Sequence, residues 1–214
     1  MTTIFKRLEW IPILGVLVFF AGHFVAAAHY PGGHQWDYDS SGYNVLLNFW
    51  CDLIWPTTYN GDPNPASIYG IVTTVFLTLS LAIFFIEFAR TIPMSKLSRL
   101  VVMASGSASM ISASLIFTEA HTYAIYAAGA FGLVALIAMF KALVRNRYQT
   151  LMIWGGATIA ILLFCMLQLW LKFAYMTYPM VQKIAFVIGL TWVIAICLKI
   201  TELKRANISQ ANQN

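Results

Sequence analysis

The sequence predicts an all-α, polytopic integral membrane protein with six transmembrane helices, and three observations carry that prediction. Long apolar runs recur along the 214 residues, each near the ~20 residues that a helix needs to cross the hydrocarbon core. Only 10% of the residues are charged, whereas soluble domains are roughly one-quarter charged. Eleven of the 13 Lys and Arg residues fall into one alternating set of gaps between the runs, which is typical of a fixed orientation.

The six predicted spans follow one another along the chain, and short gaps join most of them. They cover residues 11–28, 67–88, 99–118, 122–140, 151–171 and 181–199. Gaps rich in Lys and Arg are expected to face the cytoplasm, because short basic loops are retained on that side. Both termini are therefore predicted to be cytoplasmic. The basic residues that set this orientation are Lys6, Arg7, Arg90, Lys96, Arg99, Lys141, Arg145, Arg147, Lys199, Lys204 and Arg205.

The basic character of the chain does not indicate a nucleic-acid partner. The isoelectric point is near 9.2, but the basic residues lie in short gaps beside apolar runs. In that position the positive-inside bias and anionic lipid headgroups account for them. Membrane lipids are therefore the expected partners, and no nucleic acid is expected.

Residues 29–66 join the first two spans, and we call them the outer segment. It begins with a Pro-Gly-Gly turn at 31–33 and ends in a stretch rich in Asn, Gly and Pro. In between, residues 43–55 are apolar but too few to span a membrane, which predicts a short interfacial or re-entrant helix. The whole chain is assigned to one transmembrane domain, 1–203, followed by a cytoplasmic tail, 204–214.

Polar residues at membrane depth mark the third predicted span. Ser105, Ser109 and Ser112 recur at i, i+4 and i+7, so a helix carries them on one face. Small hydroxyl residues in that pattern are typical of close helix packing, and a second interpretation is that the face receives a lipid acyl chain. Just beyond, Glu119 and His121 place an acid and an imidazole on the same side as the outer segment.

Four short motifs, taken in order, resemble one known family. They are Tyr30-Pro31-Gly32-Gly33, Asn48-Phe49-Trp50-Cys51-Asp52-Leu53, Glu119-Ala120-His121, and Gln182-Lys183 with Trp192. With these motifs the chain resembles, over nearly its whole length, the six-span FRAG/DRAM/Sfk-type membrane proteins and related bacterial membrane families of unknown function. Those families often have Ser-Asp-Leu-Gly where this chain has Cys-Asp-Leu-Ile at 51–54. The resemblance implies lipid handling, with Asp52, His121 and Gln182 as a polar site on the outer side.

The first functional hypothesis is that polar residues on the outer side surround a groove for a lipid headgroup. Ionisable residues at membrane depth are costly to bury and are functional candidates for that reason. If the protein is an enzyme, His121 would act as general acid or base, with Asp52 or Glu119 orienting the imidazole. The candidate binding residues are His29, His34, Asp37, Asp39, Asn48, Ser105, Ser109, Ser112 and Gln182.

Two alternatives use the same outer residues. In one, the protein is a non-catalytic scaffold or subunit, and residues 34–62 bind a partner protein through aromatic and acidic side chains. In the other, the histidines and carboxylates bind a metal such as zinc, and the protein is a metal-dependent membrane hydrolase. The chain contains no HxxxH or HExxH pattern, so no residue is assigned as a metal ligand and the cofactor is left open.

Overall fold

The computed structural model describes residues 7–211, so Lys6 of the predicted basic set and residues 212–214 of the predicted tail lie outside it. The described chain is mainly helical, which agrees with the predicted all-α class; the exception is the outer segment, which contains a small hairpin and several turns. Its six α-helices are α1 (Trp10–Ala28), α2 (Ser67–Thr91), α3 (Lys96–Ala113), α4 (His121–Arg145), α5 (Gln149–Leu171) and α6 (Tyr178–Ala211).

Five of these helices, α1, α2, α4, α5 and α6, are long and apolar enough to cross a membrane. They coincide with five of the predicted spans and support the prediction of a multi-pass membrane protein. The predicted third span, 99–118, corresponds to α3, which ends earlier, at Ala113. α3 is less apolar than the others because Lys96 and Arg99 occupy its first turn and several serines follow. Six spans and cytoplasmic termini therefore stay predictions.

The helices form a closed bundle in which each one packs against the next and α6 returns to α1 and α2. Phe84 and Phe88 of α2 and Trp192 of α6 are almost completely buried in its core. The Trp192 indole N–H donates to the Leu151 carbonyl oxygen at 2.9 Å, and a Cβ at Gly155 would lie 2.6 Å from the same ring. Small residues at such contacts allow helices in membranes to approach closely.

α6 continues to Ala211, well past the predicted end of the sixth span at 199, so residues 204–211 of the predicted tail are helical. Lys204 on this extension donates to the Glu9 carboxylate at 2.7 Å and to the Glu87 carboxylate at 2.5 Å. We call these three residues the Glu9–Lys204–Glu87 cluster. It joins the chain just before α1 to the last turns of α2 and to α6.

The outer segment folds mainly through turns. Its first part is an antiparallel hairpin of β1 (Gly32–His34) and β2 (Asp37–Ser41), which was not predicted. The predicted interfacial or re-entrant helix over 43–55 is not confirmed, since only Trp50–Ile54 is helical, as a short 3₁₀ helix. The Asn44 side chain accepts hydrogen bonds from the backbone N–H groups of residues 46 and 47, and such local bonds compete with helix formation.

Candidate functional site

A cavity of about 260 Å³ opens between the outer segment and the facing ends of α4, α5 and α6. Its polar lining comprises Gln35, Asp52, His121, Lys172 and Gln182, together with tyrosine and threonine side chains. A neighbouring cavity of about 240 Å³ shares Asp52 with it. We call the larger one the Asp52 cavity. It brings together Asp52, His121 and Gln182, the three residues that the family resemblance implies for an outer polar site.

Asp52 is the buried acid of this cavity. It lies in the 3₁₀ helix, and one carboxylate oxygen accepts hydrogen bonds from the Asn48 side-chain amide at 2.9 Å and the Phe49 backbone N–H at 2.8 Å. Burial raises the pKa of Asp52 to about 6, although these hydrogen bonds and the nearby Lys183 ammonium favour the charged form. A carboxyl group with such a pKa can hold or release a proton near neutral pH.

Asn48 holds the Asp52 carboxylate through a hydrogen bond and does not itself line the cavity. Its side chain is fully buried, donates to the Gly33 carbonyl oxygen at 2.8 Å and accepts from the Asn44 backbone N–H at 2.9 Å. Its own carbonyl oxygen accepts a hydrogen bond from the Lys183 ammonium on α6. The predicted binding residue Asn48 therefore fixes the position of the carboxylate and joins the hairpin to the 3₁₀ helix.

His121 begins α4 and lies on the other side of the cavity. Its Nδ1 is hydrogen-bonded to the Ile116 carbonyl oxygen, which assigns the proton to Nδ1 and leaves Nε2 as an acceptor. The imidazole lies against the Trp55 indole, with ring centroids 5.0 Å apart. Glu119 is exposed and is not part of the cavity lining. The Ile116 carbonyl, and not a carboxylate, therefore orients this imidazole.

Gln182 joins α6 to the outer segment. Its side-chain oxygen accepts a hydrogen bond from the Trp50 backbone N–H at 3.2 Å, and its amide nitrogen lies 3.8 Å from the Cys51 sulfur. Burial raises the pKa of the Cys51 thiol to about 11. Because a thiolate is the reactive form of cysteine, this raised pKa disfavours the nucleophilic form of Cys51 at neutral pH.

The remaining outer candidates lie away from the Asp52 cavity. His29 is exposed after α1, and its Nδ1 is 2.8 Å from the Val25 carbonyl oxygen. His34 is buried in β1, where its Nδ1 accepts from the Trp36 backbone N–H at 3.3 Å. Asp37 and Asp39 are exposed on β2. The structure therefore separates these four side chains from the carboxylate and imidazole that it brings together.

The serine face of α3 is used for backbone hydrogen bonding and helix packing. The Ser105 hydroxyl donates to the Val101 carbonyl oxygen on the same helix. The Ser109 hydroxyl donates across to the Ala128 carbonyl oxygen of α4 at 2.8 Å. Ser112 is half-buried on the same helix. None of the three lines the Asp52 cavity, and the packing interpretation of this face agrees with the contacts.

Lys172 is a site residue that the sequence analysis did not select. It ends α5 with a left-handed backbone, φ 52°, and Ala174 is left-handed too, φ 46°. Non-glycine residues adopt this conformation at an energetic cost, often near functional sites. The Lys172 ammonium lies 4.2 Å from the centre of the Tyr175 ring. The sequence could have indicated this residue, since only Lys172 and Lys183 lie outside the gaps that the positive-inside pattern assigns to the cytoplasm.

Within residues 7–211, no three His, Cys, Asp or Glu side chains lie close enough together to hold a metal ion. Comparisons with family models, with curated proteins and with solved structures find no match for this chain.

Proposed function

We propose that this chain is a multi-pass membrane protein that binds a membrane lipid by its headgroup in the Asp52 cavity and remodels it there. The observation that carries the proposal is the convergence of Asp52, His121 and Gln182 on one cavity, although about 130 residues separate the first from the last along the chain. Convergence of buried polar groups in a concave site is the usual basis for a binding-site hypothesis.

The surroundings of the cavity suit an amphiphile. Ile125 of α4 and Leu169 of α5 line it beside the polar groups. In the most apolar stretches of both helices only 22% of the residues are buried within the protein, so the other side chains are partly or largely exposed. A lipid with its headgroup in the cavity would keep its chains against these apolar surfaces, where they cost no exposure to water.

The chemistry of the cavity suits proton transfer. His121 presents Nε2 as an acceptor, while Asp52 has a pKa of about 6. An acid and a base with such properties support general acid–base catalysis of an ester or phosphoester step. We assign His121 as the general base and Asp52 as the second proton-carrying group in the remodelling reaction.

A scaffold function is the second candidate, and exposed apolar residues of the outer segment favour it. Tyr38 of the hairpin and Val45 and Leu46 in the loop that follows it are each more than half exposed. Exposed apolar residues that lie close together are typical of surfaces for a partner protein or for the membrane interface. This candidate predicts that substitutions of the exposed residues of the outer segment, and not substitutions in the cavity, abolish the effect of the protein in its host.

Comparative lipidomics of host membranes tests the proposal. Wild type, Asp52→Asn and His121→Ala are expressed at matched, correctly inserted levels, with Asp37→Asn and His29→Ala as controls because these two side chains are exposed away from the cavity. We expect the wild type and both controls to shift the same lipid class and both cavity variants to lose the shift. Identical lipid profiles for all five chains and for the empty host would overturn the remodelling proposal and favour the scaffold.

A further inference from the structure

Aromatic side chains are the largest group among the residues that line the Asp52 cavity. Trp55 and Tyr59 come from the outer segment, Tyr126 from α4, Tyr175 from the turn before α6 and Tyr178 from α6 itself. With Phe49 of the outer segment, six rings from four parts of the chain thus line the cavity that contains the Asp52 carboxylate. Aromatic faces carry a negative quadrupole and attract cations, and sites of this composition are typical of quaternary ammonium ligands.

The Lys172 ammonium forms a cation–π contact with one ring of this wall. Its nitrogen lies over the Tyr175 ring at 4.2 Å from the centroid, well within the ~6 Å range of a cation–π contact. The left-handed backbone at Lys172 and Ala174 holds this contact at the end of α5. An aromatic ring of this wall therefore already interacts with a cation.

The charges of the cavity do not neutralise one another. Across the part of the chain that the structure describes, neither Asp52 nor Lys172 forms an ion pair with another residue. Asp52 accepts hydrogen bonds from neutral donors and has the Lys183 ammonium nearby but not in an ion pair, and Lys172 is exposed at the rim. One unpaired carboxylate inside and one unpaired ammonium at the rim complement a ligand that carries both a positive and a negative charge.

We infer that the Asp52 cavity recognises a zwitterionic headgroup of the phosphocholine type, with the ammonium among the aromatic rings beside Asp52 and the phosphate at Lys172. This inference rests on the proposed lipid function and deepens it. The volume of about 260 Å³ is just below the ~300–1,000 Å³ of sites for drug-sized molecules. It suits a headgroup alone, with the rest of the lipid outside.

Calorimetric titration of the purified full-length chain in maltoside micelles tests the inference. The probes are dihexanoyl-phosphatidylcholine, dihexanoyl-phosphatidylglycerol and soluble phosphocholine. We expect the choline lipid to bind roughly 5- to 30-fold more tightly than the glycerol lipid, which is the range that a cation–π contribution supplies. Tyr126→Leu should remove most of this preference and Tyr126→Phe should retain it, because phenylalanine keeps the aromatic face.

Two matched controls separate the site from general effects on the helices. Tyr123→Leu lies on the same helix, is 79% exposed and is outside the cavity, so it should leave the preference unchanged. Lys172→Gln should weaken both phosphate-bearing lipids, whereas Lys141→Gln, on an exposed part of α4, should not. Tyr126→Phe and Lys172→Gln keep the test decisive if Tyr126→Leu aggregates in size-exclusion chromatography.

The outcomes separate the inference from the proposed function. Equal affinity for the choline and glycerol lipids would overturn the headgroup assignment and leave lipid binding intact. Absence of binding by either lipid would overturn both. Soluble phosphocholine that binds as tightly as its lipid would support the recognition chemistry and overturn the assignment of a lipid as the source. Retention of the choline preference by Tyr126→Leu would contradict the role of the aromatic wall.

Discussion

Buried carboxylates occur at both ends of the bundle, but their partners differ. Glu87, near the end of α2, and Asp52, just before α2, are each 5% exposed. Glu87 is bound by the Lys204 ammonium at 2.5 Å and lies 3.7 Å from Arg90. Asp52 receives hydrogen bonds from an amide side chain and a backbone N–H. Equal burial is thus accompanied by ion pairing at one end and by neutral donors at the other.

The difference separates a structural role from a binding role. A carboxylate whose charge is matched by a lysine holds helices together, and removal of its partner leaves an uncompensated buried charge. A buried carboxylate whose hydrogen-bond donors are neutral and which forms no ion pair costs stability in its charged form, and such a cost is typical of functional sites. The comparison therefore supports a stabilising role for the Glu9–Lys204–Glu87 cluster and the proposed ligand-binding role for the Asp52 cavity.

The largest expected effect comes from breaking the ion-paired end. Lys204→Ala leaves Glu9 and Glu87 buried without their shared cation, so we expect a loss of about 3–5 kcal/mol in unfolding free energy. Thermal and denaturant unfolding in detergent measures the change. Lys199→Ala is the control, because its partner Glu202 is largely exposed and such pairs contribute less than ~1 kcal/mol.

A charge-neutral triple variant tests the cause of that loss. Lys204→Met combined with Glu9→Gln and Glu87→Gln removes all three charges, and we expect it to recover most of the stability that Lys204→Ala loses. Equal stability of Lys204→Ala and Lys199→Ala would instead show that the cluster is not a structural contact.

The second expected effect is a gain in unfolding free energy, and its size depends on pH. The pKa of Asp52 is raised from 3.8 to about 6, so the folded protein holds a proton that the unfolded chain loses between these values. The stability that Asp52 contributes is present below about pH 4 and is lost as the pH rises through about 6. Asp52→Asn should therefore stabilise the protein above about pH 6, by up to about 3 kcal/mol, and not below about pH 4.

Unfolding midpoints of the wild type, Asp52→Asn and Asp37→Asn across this pH range measure that prediction. Asp37 is exposed, so Asp37→Asn should follow the wild type at every pH. If the unfolding midpoints of the wild type and Asp52→Asn differ by the same amount at every pH, Asp52 is not a carboxylate that titrates in this range.

The smallest expected effect concerns the contact between α6 and the outer segment. Gln182→Ala leaves the Trp50 backbone N–H without its acceptor, and loss of such a partner costs about 1 kcal/mol. Hydrogen exchange at the Trp50 amide should accelerate at the same time. A loss of global stability alone would instead accelerate exchange at many amides. Gln149→Ala, at the exposed start of α5, is the matched control and should change neither quantity.

The helices could be predicted because their signals are local. The apolar length of each run and the Lys and Arg residues beside it indicate a helix such as α5 without reference to the rest of the chain. α3 is the exception, since its serines and its early charges lower its hydropathy. The hairpin was missed because its pairing depends on Gly33, whose φ is +83°, and on contacts that no apolar pattern reveals.

The site could be predicted only in part. The resemblance suggested Asp52, His121 and Gln182, and these three line one cavity. The acids of the hairpin and the serines of α3 do not line it: Asp37 and Asp39 are exposed, and the Ser105 and Ser109 hydroxyls donate to backbone carbonyls. The aromatic wall was missed because tyrosines near apolar runs are common at membrane interfaces, and only their convergence on the Asp52 cavity distinguishes them.

The length of α6 sets one dimension of the molecule. Gln182, which binds the outer segment, and Lys204, which binds the two glutamates, lie on one uninterrupted helix and are separated by about 33 Å along its axis at 1.5 Å per residue. The hydrocarbon core of a bilayer is about 30 Å thick. Because polar contacts fix both ends, α6 cannot slide to follow a thicker or thinner bilayer, and the whole bundle must tilt or the lipids must adapt. The spacing between the two polar contacts of α6 is therefore close to the thickness of the hydrocarbon core.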